Sequence, residues 1–187
     1  DSLMAMQDCL AQLDLGLARA RYGAWLGAVK PKLGTECWQL KDLRHPLLVW
    51  QERQEAGTAV VPVSLQIEPP LRVVAITGPN TGGKTVTLKS LGLATLMARS
   101  GLFLPCSGTP QLPWCEAVLA DIGDEQSLQQ NLSTFSGHVR RIARILEALS
   151  SLGAAPVPAL VLLDEVGAGT DPSEGAALAT ALLRQLA

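Results

Sequence analysis

Apolar residues recur every three or four positions along the first 28 residues, as they do on one face of a helix. The seam consists of Leu3, Met6, Leu10, Leu13, Leu17, Ala20 and Ala24. This spacing fits either an amphipathic helix lying on its own domain or the end of a longer helical arm. Two or three heptads do not decide between the two.

The pattern changes between residues 31 and 70, where short β-prone segments are interrupted by proline and glycine. The segments are residues 37–40, 47–50 and 60–67. Short, broken segments of this kind predict a small and mostly antiparallel sheet region.

Beyond residue 70, continuous apolar runs alternate with helical patterns. The runs predict buried strands at residues 72–77, 117–122 and 158–163. The helices are predicted from Lys84 to about Arg99, over residues 137–150, and from Pro172 onward, where Asp171 and Glu174 are typical of a helix start. Residues 123–136 are predicted to form a polar loop. Alternation of this kind predicts an α/β fold with a mostly parallel sheet flanked by helices.

Composition excludes several classes of protein. Hydrophobic residues make up 48% and charged residues 17%, as in a folded domain. Apolar runs of about six to eight residues are well short of the roughly 20 that cross a bilayer, so no membrane association is expected. The start of the chain lacks the basic region of a secretory signal, and the spacing of the four cysteines matches no zinc or redox motif. Reduced thiols and a cytoplasmic location are therefore expected.

The charge balance is slightly acidic, with 15 basic and 17 acidic residues. A domain that grips DNA or RNA through its own phosphate contacts is usually basic. Composition therefore gives no support for direct nucleic-acid binding by this segment.

The octet GPNTGGKT at residues 78–85 fits the P-loop pattern G-x-x-x-x-G-K-[ST], between a predicted strand and a predicted helix. Its glycines allow successive backbone N–H groups to point at phosphate oxygens, and the helix that follows adds its positive dipole end. Lys84 is suited to contact the β- and γ-phosphates of a nucleotide, and the Thr85 hydroxyl to ligate Mg²⁺. The motif predicts binding of ATP or ADP with Mg²⁺.

The predicted strand at residues 158–163 ends in two carboxylates. Asp164 is suited to hold Mg²⁺, and Glu165 to orient and deprotonate an attacking water. Two acids at the carboxyl edge of an α/β sheet, together with a P-loop, predict hydrolysis of ATP rather than binding alone.

In both of these motifs the chain resembles the ATPase domain of the MutS family, which is related to the ABC-type ATPases. Beyond the P-loop form itself, the resemblance rests on four segments: LRHP at 43–46, NLSTFSGH at 131–138 after an acidic loop at 121–126, GAGTDP at 167–172, and ARARYG at 18–23. Thr81, and Thr85 followed by Val86, look more like the second bacterial branch, associated with suppression of recombination, than like the mismatch-repair branch.

The resemblance implies a site and an assembly. Ser133 and Thr134 would reach the γ-phosphate bound by a second subunit, so the active form would be a homodimer. Thr170 and Asp171 would communicate between the paired sites. Residues 1–30 would be the end of a helical lever, and residues 31–187 the P-loop ATPase domain. The nucleotide contacts implied are Val60, Val61, Gly78, Pro79, Asn80, Thr81, Gly82, Gly83, Lys84, Thr85 and Val86.

Some parts of the family pattern are not found in these 187 residues. The histidine that senses the γ-phosphate, the clamp and the small nuclease domain of this branch would lie outside the chain. DNA, or RNA on the ribosome, would be bound by those parts. Without the resemblance, His45 is interpreted as a structural residue and His138 as a surface residue.

Three functions remain open from the sequence. The first is the ATPase engine of a MutS-like nucleic-acid clamp acting in recombination control or DNA repair. The second is another ABC-type engine, of a transporter or a chromosome-organising protein, although residues 131–138 do not have an LSGGQ-type signature. The third is a nucleotide-gated dimerisation module with negligible turnover.

Overall fold

The computed structural model describes residues 2–54, 59–79, 82–123, 134–153 and 158–186. The chain is α/β, as predicted, and divides into two units: residues 1–67 with 93–114, and residues 68–92 with 115–187. The elements of the described residues, in chain order, are α1 (Ser2–Leu26), β1 (Lys32–Leu33), β2 (Trp38–Leu43), α2 (Pro46–Gln54), β3 (Val63–Ile67), α3 (Lys84–Arg99), β4 (Ser107–Leu112), β5 (Ala117–Asp121), α4 (Thr134–Ser151), β6 (Ala159–Leu163) and α5 (Pro172–Leu186).

The first unit contains a four-stranded sheet in the order β1-β4-β2-β3. Strand β2 pairs antiparallel with β3 and β4, which confirms the small antiparallel region, whereas β1 pairs parallel with β4. The core of this unit contains Leu40, Leu104 and Leu112, each at most 1% exposed. Residues 47–50 were expected to be a strand and instead lie in α2, because Pro46 sits at the first helical position, where its fixed φ favours a helix.

Helix α1 is confirmed, and most of its apolar seam is exposed. Leu3, Met6, Leu10, Leu13 and Leu17 are all more than half exposed. Only Gly23 and Leu26, near the end of the helix, are buried. The seam is therefore not packed against the described residues of the first unit, and the assignment of residues 1–30 to a helical lever stays a prediction. The four cysteines are all free, as expected.

The second unit contains β5 and β6, which pair in parallel from Ala117 with Ala159 to Asp121 with Leu163. Successive side chains of a strand point to opposite faces of the sheet. Leu162 and Asp164 therefore face one way, towards α3, where a Cβ on Gly92 would lie 2.8 Å from Leu162 Cδ1. The side chain of Asp121 belongs to the other face, where it meets α4.

The prediction of a mostly parallel sheet is only partly correct. Residues 71–77 form no strand, and Leu71, Val74 and Ile76 are 38–55% exposed. An apolar run indicates that a segment tends to be buried, but a strand also requires a neighbouring strand with which its backbone forms hydrogen bonds. Among the described residues none pairs with this segment, and parallel pairing is limited to β1–β4 and β5–β6.

Two helix boundaries can be compared with the predictions. Helix α3 ends as predicted, since Gly101 has φ +74° and Leu102 N–H donates to Met97 O, which is a Schellman C-cap. Helix α4 begins at Thr134, three residues before the predicted start. None of the described helices is both long and apolar enough to cross a membrane.

Candidate functional site

The turn that leads into α3 has the backbone conformations expected of a P-loop. Gly78 and Gly83 have φ values of +151° and +77°, a region that residues with a Cβ rarely adopt. Gly82 N–H donates to Pro79 O at 2.9 Å and closes the turn. Because α3 then begins at Lys84, its unsatisfied N–H groups lie directly after the glycines. The turn is suited to hold an anion.

Lys84 lies over this turn. Its Nζ donates to Gly78 O at 2.7 Å, so the ammonium lies at the start of the loop rather than away from it. A phosphate oxygen bound in the loop would compete for the same ammonium, because its negative charge attracts the cation more strongly than the dipole of a carbonyl group does.

Thr85 and Asp164 connect the P-loop helix to the end of β6. Thr85 Oγ1 donates to Asp164 Oδ2 at 2.6 Å, although the two residues are 79 positions apart. Asp164 is 8% exposed, and its N–H donates to Asp121 O at 2.9 Å, which holds its backbone against β5. The side-chain contact brings together the two residues that the sequence predicts as magnesium ligands.

The donor set of this pair fits Mg²⁺. The ion prefers six oxygen ligands at about 2.0–2.1 Å and usually takes one or two carboxylates, waters and substrate phosphates. Thr85 and Asp164 supply a hydroxyl and a carboxylate oxygen already in contact. Among the described residues no cluster of three His, Cys, Asp or Glu side chains forms a protein-only metal site. Such a pair leaves the other coordination positions of the ion to waters and substrate phosphates.

Glu165 follows Asp164 in an unusual backbone conformation. Its φ is +48°, in the left-handed region, and its side chain is exposed. A residue with a Cβ in this conformation costs roughly 1–3 kcal/mol, and such residues cluster at functional sites. Glu165 O accepts from Ala168 N–H at 2.9 Å, which fixes the turn.

The loop after Glu165 is held closely against α5. A Cβ on Gly167 would lie 2.5 Å from Gly175 Cα, so the two backbones are in contact. Thr170 Oγ1 donates to Glu174 Oε2 at 2.7 Å. Asp171 caps α5, as predicted, through Ser173 N–H at 2.9 Å. The hydrogen bond from the Ser173 hydroxyl, followed by that from its N–H, lowers the pKa of Asp171.

An ionic cluster around the buried carboxylate of Asp121 lies at the same end of the β5–β6 pair, on the opposite face, and its Arg141 side chain is 45% exposed. Asp121 is 2% exposed, and its carboxylate bonds His138 Nδ1 at 2.7 Å and the Arg141 guanidinium Nε. The ring of His138 is only 15% exposed, so the interpretation of His138 as a surface residue is wrong. The pattern around His138 does not reveal its partner, which is 17 residues upstream.

The other residues predicted from the sequence lie away from this contact or outside the described residues. Asn80, Thr81 and Ser133 lie outside the described residues, and Val86 is 38% exposed in the first turn of α3. Val60 and Val61 belong to the first unit, whereas the P-loop belongs to the second, and their contact with adenine stays a prediction.

Sequence comparison agrees with the motifs. The family model described as MutS domain V matches residues 74–187, well over half of the chain. The chain is similar to the endonuclease MutS2 of Synechocystis sp., with 59% identity over 94% of the chain and 23% of that protein. It is also similar to the endonucleases MutS2 of Finegoldia magna, with 45% identity over 98% of the chain, and of Exiguobacterium sibiricum, with 46% over its whole length; in each case 22% of the relative is covered.

The chain thus spans less than a quarter of the length of these curated relatives. The matched region begins at residue 74, four residues before Gly78, and includes Lys84, Thr85, Asp164 and Glu165. With the P-loop turn and the acidic strand end joined by one hydrogen bond inside the matched region, the chain belongs to the MutS domain V family.

Proposed function

We propose that the chain binds ATP with Mg²⁺ and hydrolyses it to ADP and phosphate. The observation that carries this proposal is the 2.6 Å contact between Thr85 and Asp164. It joins the P-loop to the acidic end of β6, so phosphate binding and water activation belong to one site.

The chain's own residues have separate roles in the reaction. Backbone N–H groups of residues 78–85 hold the phosphates, and Lys84 exchanges Gly78 O for the β- and γ-phosphate oxygens. Thr85 and Asp164 hold Mg²⁺, which when bound neutralises phosphate charge. Glu165 accepts the proton of the water that attacks the γ-phosphorus in line, as the bond to the β-phosphate oxygen breaks. Ser133 of a second subunit supplies a further hydrogen bond to the γ-phosphate.

The proposed assignment to the second bacterial branch of the MutS family rests on the relatives. Proteins named endonuclease MutS2 match nearly the whole chain at 45–59% identity, which supports the second bacterial branch. In the proposed protein, ATP binding and hydrolysis drive a dimeric nucleic-acid clamp in recombination control or DNA repair. Nucleic-acid binding and nuclease activity are assigned to regions other than this chain, whose charge balance is slightly acidic. The domain V match favours this function over a transporter or chromosome ABC-type engine.

The test of this function is the substitution Glu165→Gln in the full-length protein. It removes the proton acceptor and keeps the shape of the side chain. We expect steady-state ATP turnover to fall by about 10²–10³-fold, as for loss of a general base, with the Kd for Mg-ATP nearly unchanged. Glu147→Gln, the same change at an exposed position of α4, is the matched control and leaves turnover unaltered.

Two results would contradict the proposal in different ways. Turnover that survives Glu165→Gln would show that Glu165 is not the base. A wild-type protein that binds Mg-ATP and dimerises without turnover would instead be a nucleotide-gated dimerisation module.

A further inference from the structure

The Asp121 cluster has a geometry that a structural ion pair does not require. Both carboxylate oxygens are used, Oδ2 with His138 and Oδ1 with Arg141. The two partners are three residues apart on α4, on one face of the helix. Two directional bonds from one buried carboxylate fix both the rotation of α4 about its axis and its position along the end of β5.

The same residue is also bonded to the candidate magnesium site. Asp121 O accepts the N–H of Asp164 at 2.9 Å, and Asp164 Oδ2 in turn accepts from Thr85. The backbone of Asp121 therefore holds one ligand of the proposed site, while its side chain holds α4. Asp121 is the last residue of β5. A movement of α4 would therefore be transmitted to Asp164, or the reverse, through this one residue.

Stability alone gives little reason for such a cluster. Only the carboxylate is buried, and an ion pair whose cation is 45% exposed gains little net stability because water screens it. Elsewhere α4 packs through apolar residues, such as Ile142 and Ile145, both less than 8% exposed. A satisfied polar network around a buried group makes a structure more rigid and specifies one arrangement of its elements. The cluster is explained better by a need for position than by a need for stability.

We infer that Asp121 is a positioning residue, which with His138 and Arg141 couples the start of α4 to the Asp164–Glu165 end of β6. The inference rests on the proposed function, in which residues at the start of α4 reach the nucleotide of a second subunit. Helix α4 begins at Thr134, one turn before His138. Asp121 thus links the part of the chain that serves the partner's ATP to the part that serves its own.

The substitutions Asp121→Asn and Arg141→Ala in the full-length protein test this coupling. Asp121→Asn keeps the shape and removes the charge, and Arg141→Ala leaves the Asp121–His138 bond in place. Arg140→Ala, the neighbouring exposed arginine of α4, is the matched control. The measurements are the Kd for Mg-ATP, the steady-state kcat, the ATP-dependent change in mass by light scattering, and the melting temperature.

We expect both test variants to lose at least about tenfold in kcat, since misplacement by an ångström costs up to 10²-fold. ATP-dependent doubling of mass weakens, and the Kd for Mg-ATP stays within about threefold, because the P-loop contacts are intact. Arg141→Lys, which retains a charge near Asp121, recovers part of the loss. The double variant Asp121→Asn/Arg141→Ala has a kcat no lower than that of Asp121→Asn alone, because both substitutions disrupt the same Asp121 cluster. Arg140→Ala behaves as the wild type.

The outcomes separate this inference from the proposed function. Wild-type kcat in both test variants would overturn the coupling and leave the ATPase proposal intact. A fall in Mg-ATP affinity as large as the fall in kcat would also overturn it, since Asp121 would then only maintain the fold of the site. If Asp121→Asn does not fold, Arg141→Ala decides alone. A wild-type protein with neither binding nor turnover would contradict the proposed function itself.

Discussion

The contact between Gly167 and Gly175 predicts an unusual effect of adding a single methyl group. Gly175 is the fourth residue of α5, and Gly→Ala at an interior helix position ordinarily stabilises by about 1 kcal/mol. Here a Cβ on Gly175 would lie 2.8 Å from Gly167 O and 3.3 Å from Gly167 Cα. Carbon atoms pack favourably at about 3.5–4.0 Å, so the loop after Glu165 must move.

The two contributions have opposite signs. Overpacking in a close contact costs typically 1–3 kcal/mol, and the upper part of that range applies because the obstacle is backbone. Subtracting the helix-propensity gain leaves a net destabilisation of about 1–2 kcal/mol for Gly175→Ala. For a protein of this size, each kcal/mol shifts the melting temperature by about 2–4 °C, so a decrease of about 2–8 °C is expected.

Gly137 is a matched control, since it is the fourth residue of α4 in the same unit. A Cβ there would meet Arg141 Nη1 at 3.6 Å, an ordinary van der Waals contact. Gly137→Ala is therefore expected to raise the melting temperature by about 2–4 °C through helix propensity. Circular dichroism at 222 nm during heating measures both variants. An increase for Gly175→Ala equal to that for Gly137→Ala would show that the contact with Gly167 does not resist the added methyl group.

Three further predictions concern a thiol, a metal ligand and a helix cap. Burial, followed by the charge of Asp42, raises the pKa of Cys106 to about 12. Because the thiolate is the nucleophile, iodoacetamide at pH 8 should label the exposed Cys9 at least about 100-fold faster than Cys106, as measured by mass spectrometry. Equal labelling rates for the two cysteines would contradict the burial of Cys106. Thr85→Val should raise the Mg²⁺ concentration for half-maximal ATP hydrolysis by about tenfold or more, because the loss of a group that only hydrogen-bonds a metal ligand already costs about that much. Thr85→Ser keeps the hydroxyl and should leave this concentration unchanged. Asp171→Ala should lower the melting temperature more than Asp171→Asn, because asparagine also caps helices, and equal losses would argue against capping.

Local sequence was sufficient for the features that depend on neighbouring residues. The glycine conformations of the P-loop, the cap at Asp171 and the end of α3 at Arg99 all agree with expectation. The contact between Thr85 and Asp164 was also predictable, although indirectly, because both residues belong to motifs that meet at the carboxyl edge of a sheet.

Features that depend on distant residues were not predictable in the same way. The apolar run at residues 72–77 does not indicate which strand pairs with it, and no described residue does. Nothing in the pattern around His138 points to Asp121, and the glycine at position 175 reads as an ordinary weak point in a helix. Strand pairing, buried ion pairs and backbone contacts are set by packing between segments, which periodicity does not encode.

The proposed function requires that residues 78–85 bind the phosphates of ATP. The most direct test is calorimetric titration of Mg-ATP into the wild-type protein, the Lys84→Ala variant and, as control, Lys30→Ala at an exposed lysine outside the site. Saturable binding by the wild type and Lys30→Ala, lost in Lys84→Ala, is the predicted result. Equal binding by wild type and Lys84→Ala would contradict the assignment of the phosphate site to this loop.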